Sequence, residues 1–188
     1  VSYMNLRDID IRKVVNESVN MFLLHEAKMS KEDALRFEEW KGVFDGYLSD
    51  MIDELQSEYL NRLGLSISIN SNYNFGRRRW FACYEASLQQ ITNGVISIAI
   101  NYPHLYSEMR KRGIDDDDYN IEAQARITVG HEIGHGLVDY IKHLDLDASV
   151  LKDLPNLRII KRCGSRKEET LVEEFGCYQF SDATYVYD

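Results

Sequence analysis

The feature that most constrains this chain is a run of apolar residues at helical spacing that carries HEIGHGLVDY at residues 131–140. The run extends from Ile121 to Ile141 and its apolar members recur every three or four residues, which predicts an amphipathic helix of about twenty residues. A separation of four residues places His131 and His135 one turn apart on one face of this helix. Two imidazoles in this arrangement can bind one metal ion.

The residue after the first histidine has the chemistry of a general base. Glu132 lies about 100° around the helix axis from His131, where its carboxylate can accept a proton from water that the ion activates. Gly134 and Gly136 each cost roughly 1 kcal/mol relative to alanine inside a helix, which indicates that another backbone passes close by. The same pentapeptide also occurs by chance, in roughly one in a hundred sequences of this composition, on helices whose histidines are merely solvated. A third ligand would favour the metal site.

The segment EETLVEEFGCYQF, residues 168–180, predicts a second helix that offers this ligand. Glu169, Glu173 and Gly176 lie along one stripe of the helix. Glu169 can therefore reach the ion, while Glu173 holds a ligating histidine through its other ring nitrogen. Gly176 would let the two helices approach closely. Glu168 is expected to be solvated, as most carboxylates of such a charged helix are.

These residues resemble the zincin metallopeptidases, and among them the gluzincins. The spacing of Glu169, Glu173, Phe175 and Gly176 is similar to that of thermolysin-type enzymes and, except for the glycine, of anthrax lethal factor. In these enzymes the glutamate ligand is followed by an acidic residue four positions on and a phenylalanine six positions on. Taking Glu174 as the alternative third ligand gives a register that resembles the ImmA/IrrE-type enzymes.

The resemblance implies a fold and an activity. Zincins place an edge strand before the active-site helix and a glutamate-bearing helix after it, and residues 94–180 follow this order, with Val172 where a small residue is usual. One Zn²⁺ per chain would be held by three residues, His131, His135 and Glu169. The expected activity is peptide-bond hydrolysis with Glu132 as the catalytic base.

Two other classes of protein remain possible for such a sequence. A binding or regulatory protein could keep the zincin fold without turnover, and a structural zinc protein could close the same site with a fourth protein ligand. Glu132 favours the enzyme, because neither alternative requires a base at this position.

Segments upstream of the motif predict a small sheet. LSISIN, after Gly64, alternates apolar and polar residues, and RRWFACY follows a turn that contains Asn and Gly, so the two segments predict a hairpin. GVISIAIN predicts a third strand at residues 94–101. This strand is the expected substrate-binding element, because an edge strand offers unpaired backbone groups to an extended peptide. Its substrate-binding residues would be Val95, Ile96, Ser97, Ile98, Ala99 and Ile100. A loop with Pro103 and the acidic run at residues 115–118, which would cap the motif helix, complete this region.

The N-terminal third of the chain is predicted to be helical. Apolar spacing indicates one helix from Ile11 to about Lys28 and a second that begins at the capping residue Ser30 and ends at Gly64, with a bend at Gly42 or Gly46. We therefore expect an α+β fold in which an N-terminal helical extension, residues 1–62, packs on a zincin-like core, residues 63–188. The core would contain a small mixed or antiparallel sheet, the active-site helix and the glutamate-bearing helix.

Composition narrows the expected partners and location. The net charge of -9 gives no broad basic surface, so we expect a peptide or protein substrate and no nucleic acid, with Arg77–Arg79 forming a solvated strand end. Cys83, Cys163 and Cys177 lack C-x-x-C spacing and are expected to be free thiols. No apolar run reaches the roughly 20 residues of a membrane span. With no signal-peptide pattern, these features predict a soluble cytoplasmic protein without membrane association.

Overall fold

A computed structural model of the chain describes residues 30–143 and 168–180. The helix predicted from Ile11 to about Lys28 and the predicted free thiol Cys163 lie outside the described residues. No helix in the described part of the chain combines the length and the apolar character needed to cross a membrane.

The chain divides into two compact units, Val1–Glu39 and Trp40–Asp188. The division that the sequence suggested, after residue 62, stays a prediction. In the first unit, the backbone N–H of Asp33 donates to Ser30 Oγ at 3.1 Å, and Ser30 Oγ donates to Asp33 Oδ2 at 2.9 Å. Ser30 is therefore the capping residue of the long helix, as predicted.

The long helical run consists of α1 (Lys31–Leu55), a π-helical turn (Gln56–Leu60) and α2 (Asn61–Leu63). The helix continues through Gly42 and Gly46, and its departure from α-helical geometry occurs at the π-helical turn. Gly64 ends the run with a φ of 66° and donates its N–H to Asn61 O, which confirms the predicted C-cap. From residue 40 onward one face of α1 is buried at helical spacing, through Trp40, Phe44, Leu48, Met51 and Leu55.

The sheet contains three strands, β1 (Ser66–Asn70), β2 (Ala82–Tyr84) and β3 (Val95–Ile100), in the order β1, β3, β2. β3 pairs in parallel with β1 and antiparallel with β2. The hairpin predicted between the first two strands is therefore wrong, because β3 lies between them. β3 is also the central strand and not an edge, and its residues from Ile96 to Ile100 are all buried. A nearly continuous apolar sequence is typical of a strand buried on both faces.

Two shorter helices precede the helix that carries the motif. α3 (Leu88–Thr92) precedes β3, and α4 (Tyr102–Arg112) replaces the loop predicted around Pro103. Proline lies in the first turn of α4, where its missing N–H costs no helical hydrogen bond. α5 (Asp118–His143) carries the motif. Asp117 Oδ1 accepts from the N–H groups of Tyr119 and Asn120 at 2.9 and 3.3 Å, which confirms the capping role of the acidic run.

The last described helix, α6 (Glu168–Phe180), packs along α5, and α5 packs on its other side against β2 and β3. Side chains at this centre are almost completely excluded from solvent: Val129, Ile133, Leu137, Val172 and Phe175. The fold is therefore α+β with a small mixed sheet, as the sequence predicted, and it is mostly helical. Its centre is the helix that carries the two histidines.

Candidate metal centre

α5 brings the two histidines of the motif into contact. His131 Nε2 and His135 Nε2 lie 3.2 Å apart, and the ring planes are inclined by 77°. Their side chains are 23% and 19% exposed, so both reach the surface of the core without being fully solvated. A tetrahedral ion with bonds of about 2.1 Å holds its ligand atoms about 3.4 Å apart. The nitrogen separation therefore fits two ligands of one ion.

Glu169, in the first turn of α6, completes the group. Its Oε2 lies 3.7 Å from His131 Nε2 and its Oε1 lies 3.7 Å from His135 Nε2. The ligand atoms of the three residues all lie within 4.8 Å of one another. The structure thus brings together the three residues that the sequence predicted as ligands. Glu174, the alternative ligand, does not belong to the group that the described residues form.

The two helices approach through glycine. A Cβ atom on Gly176 would lie 2.6 Å from Ile127 O and 3.0 Å from His131 N, which is closer than an alanine tolerates. A Cβ atom on Gly130 would likewise lie 3.2 Å from Gly176 Cα. The role predicted for Gly176 is confirmed, because the backbones of α5 and α6 touch at the position of the first histidine.

Side chains fill the space beside the other two glycines of the motif helix. A Cβ atom on Gly134 would lie 3.1 Å from Val172 Cβ, and one on Gly136 would overlap the side chain of Ile96. The crowding predicted from these glycines is confirmed, although the neighbours are side chains and not backbone. Val172, which occupies the position where zincins usually have a small residue, packs into the space that Gly134 leaves free.

The outer nitrogen of His135 has a carboxylate partner. Glu168 Oε1 lies 3.1 Å from His135 Nδ1, and Glu168 Oε2 accepts from Lys142 Nζ at 2.7 Å. The hydrogen bond from Lys142 lowers the pKa of Glu168; burial opposes this shift and His135 adds to it. An ionised Glu168 can accept the Nδ1–H of His135, which leaves the lone pair on Nε2 for a metal.

This arrangement corrects the sequence analysis, which assigned Glu168 to solvent and gave the histidine contact to Glu173. Glu173 is exposed, and Glu168 makes the contact instead. Helical spacing did not distinguish the two, because the choice depends on how α6 crosses α5.

Glu132 faces the sheet edge. Its Oε2 accepts the backbone N–H of Tyr84 in β2 at 2.7 Å. The residues that flank β2 bond to β3 and to the residue after it: Glu85 N–H donates to Ser97 O, and Phe81 O accepts from Asn101. The backbone of Ala82 and Tyr84 therefore points away from β3. The edge strand beside the candidate base is β2. The substrate-binding role predicted for Val95–Ile100 required an edge strand, and this strand is paired on both sides.

Cys83 lies beside the same carboxylate. Burial raises the pKa of its thiol, the Tyr73 hydroxyl bonded to it acts in the opposite direction, and the charges of Glu132 and Glu85 raise it further. Cys83 and Cys177 are both free thiols, as predicted.

The likeness of this site to zincins rests on the residues and distances given above. No protein-family model matches the chain, and no curated protein or solved structure is significantly similar to it. Any assignment of function must therefore follow from the chemistry of the site.

Proposed function

We propose that this chain is a zinc-dependent metallopeptidase of the zincin type. The observation that carries the proposal is that His131 and His135 from α5 and Glu169 from α6 bring their ligand atoms within 4.8 Å of one another. Their donor set of two imidazole nitrogens and one carboxylate is the set that catalytic zinc sites use, and Nε2 atoms 3.2 Å apart suit it.

Each residue of the site would have a separate role in peptide hydrolysis. His131 and His135 would hold the ion through Nε2, and Glu169 through its carboxylate, while Glu168 fixes the ring of His135. The ion, when bound, supplies a Lewis acid for the substrate carbonyl and acidifies water. Glu132 would accept the proton of the attacking water and return it to the leaving amine. The bond from Tyr84 engages Oε2 of Glu132, and Oε1 would act as the base.

The substrate would bind along β2. The N–H and C=O groups of Ala82 and the C=O group of Tyr84 point away from β3, so an extended peptide can pair with them whatever its side chains are, while the Tyr84 N–H stays with Glu132. The peptide would then lie between the sheet edge and α5, beside the candidate base.

The test combines metal analysis with a cleavage assay on a proteome-derived peptide library. The wild-type chain should hold about one zinc, and His131→Ala and His135→Ala should each reduce this sharply, because loss of one ligand of three destroys the chelate. Glu132→Gln should keep its zinc, since glutamine still offers an oxygen to the Tyr84 N–H, and should lose cleavage.

Each rival gives a different result. Full zinc occupancy in a variant that carries both His131→Ala and His135→Ala would show that zinc does not bind at this site. Zinc binding without cleavage by the wild type would indicate a silent or structural zinc protein. Cleavage by Glu132→Gln at the wild-type rate would show that another group is the base.

A further inference from the structure

The segment between β1 and β2 concentrates positive charge in an acidic chain. Residues 71–81, which we name the arginine loop, read SNYNFGRRRWF in a protein of net charge -9. Arg77, Arg78 and Arg79 are all exposed, and Trp80 is 50% exposed. Among the described residues, no carboxylate pairs with any of the three arginines. The loop therefore presents cations whose charge is not neutralised by an ion pair.

Two aromatic residues of the arginine loop hold Arg78 in place. Its Nη1 donates to the Tyr73 hydroxyl at 3.2 Å, and its guanidinium lies 4.7 Å from the centre of the Trp80 ring. The Tyr73 hydroxyl in turn lies near the thiol of Cys83 in β2. A cation fixed in this way loses less side-chain entropy on binding an anion than a free surface arginine does.

The loop also has a defined place relative to the candidate base. It runs directly into β2, and its last residue, Phe81, accepts the Asn101 N–H through its carbonyl oxygen at 2.8 Å. Tyr84 follows Trp80 by four positions, which corresponds to about 13 Å of extended chain. A peptide paired with β2 beside Glu132 would therefore pass the arginine loop about two to five residues from the bond that is cut, and only on one side of it.

We infer that the arginine loop selects peptides that carry carboxylates about two to five residues to one side of the scissile bond. The existence of a bond that is cut rests on the proposed function. The selection of acidic peptides rests on the arginine loop alone. Arginine binds a carboxylate through two parallel hydrogen bonds, which gives geometric selectivity as well as attraction. A nucleic acid is the poorer candidate, because its continuous negative charge would also meet the acidic remainder of the chain.

The test measures binding without turnover. The full chain with Glu132→Gln is titrated with two fluorescein-labelled peptides that differ only by glutamate against glutamine at four consecutive positions. Anisotropy gives the affinity, and Trp80 emission reports occupancy of the loop, since the other tryptophan, Trp40, is buried at 3% exposure. We expect the glutamate peptide to bind about 5- to 50-fold more tightly at low salt, with the advantage shrinking as salt screens the charges.

Two variants locate the effect. Arg77→Gln with Arg79→Gln leaves the bond from Arg78 to Tyr73 intact and should remove most of the preference for glutamate. The matched control changes Arg110 and Arg112 to glutamine, which alters the net charge equally. These residues lie in the last turn of α4, about 12 to 15 Å along the helix from Tyr102. The control should keep the preference.

The outcomes separate this inference from the proposed function. Equal affinity for the two peptides, or an unchanged preference in the Arg77 and Arg79 variant, overturns the inference even if zinc binding and cleavage are found. Tighter binding of a single-stranded oligonucleotide of equal charge, with the same dependence on the loop, also overturns it. If the wild type neither binds zinc nor cleaves, yet the loop-dependent preference holds, the peptidase proposal fails and recognition of acidic peptides stands.

Discussion

Two adjacent glutamates face opposite ends of one histidine ring. Glu168 contacts Nδ1 of His135 at 3.1 Å, whereas Glu169 faces Nε2 at 3.7 Å. Neighbouring residues on a helix differ in direction by about 100°, so His135 can lie between the two side chains. One carboxylate fixes the ring, and the other lies where it could bind the same metal ion as Nε2.

The first prediction, at the residue scale, concerns the contact between Glu168 and His135. Glu168→Ala should weaken zinc binding by about 10- to 100-fold, because His135 loses the acceptor that fixes its tautomer and orientation. Glu168→Gln, which keeps an acceptor oxygen, should restore part of the affinity. Competition against a chromophoric chelator measures the change.

Glu173→Ala is the matched control for this prediction, because Glu173 lies exposed on the same helix and makes no contact with His135. It should bind zinc as the wild type does. A larger loss in Glu173→Ala than in Glu168→Ala would restore the assignment made from the sequence.

The sequence predicted which three residues lie together, but not the contact that holds His135 in place. His131, His135 and Glu169 follow from helical periodicity within two segments, and periodicity is a local property of the chain. The partner of His135 depends on the crossing of two helices, to which Gly176 and Val172 both contribute. Local periodicity contains no information on that crossing.

At the scale of elements, α5 and α6 can pack closely because a glycine, which has no side chain, lies at their contact. Gly176→Ala would place a methyl group 2.6 Å from Ile127 O and 3.0 Å from His131 N, and neither backbone atom can move without shifting α5. We predict a loss of about 1 to 3 kcal/mol in the free energy of unfolding, typical of overpacking. Zinc affinity should fall as well, because α6 carries Glu169.

Gly42→Ala gives the opposite expectation and serves as the control. A Cβ atom on Gly42 would meet nothing within 4 Å. Alanine is favoured over glycine inside a helix by about 0.8 to 1 kcal/mol, so this variant should be more stable than the wild type. Urea unfolding of both variants checks the contrast in sign, and stabilisation by Gly176→Ala would show that the helices are not in contact there.

The errors at the element scale have a common physical cause. Alternation in LSISIN and RRWFACY identified strand-forming segments, yet β3 lies between them, and the order of strands depends on contacts distant in sequence. The loop predicted at Pro103 is the first turn of α4, because proline is as compatible with a helix start as with a loop. The sequence patterns identified the helices and strands whose apolar residues are periodic. They did not predict which elements lie next to one another.

At the scale of the whole molecule, Arg126 joins three helices that are far apart in sequence. It donates to both carboxylate oxygens of Glu54 in α1, at 2.7 and 3.0 Å, and to Glu122 in α5 at 2.8 Å. It also donates to the carbonyl of Gln179 in α6 at 3.3 Å. The guanidinium is nearly buried, with 11% of the side chain exposed, so these contacts replace its water. No local pattern predicts a contact between residues 72 positions apart.

The last prediction uses pH to isolate this network. The hydrogen bond from Arg126, aided by its charge and opposed by burial, lowers the pKa of Glu54 in the folded chain. A carboxyl group whose pKa is lower when folded adds stability above its unfolded pKa of about 4.3, and this contribution is lost as the pH falls through the folded value. Because the Glu54 side chain is 55% exposed, solvent limits the contribution to roughly 1 kcal/mol.

Glu54→Gln should therefore lower the free energy of unfolding at pH 7 by roughly that amount, and the difference from the wild type should shrink toward zero near pH 3. Urea unfolding at both pH values measures it. Glu32→Gln is the control, because Glu32 pairs with Arg36 on an exposed helix surface and such pairs contribute at most about 0.5 kcal/mol. An equal loss in Glu54→Gln at pH 7 and pH 3 would mean that the side chain acts through packing. The charge of Glu54 would then contribute nothing to the contact of Glu54 with Arg126 of α5.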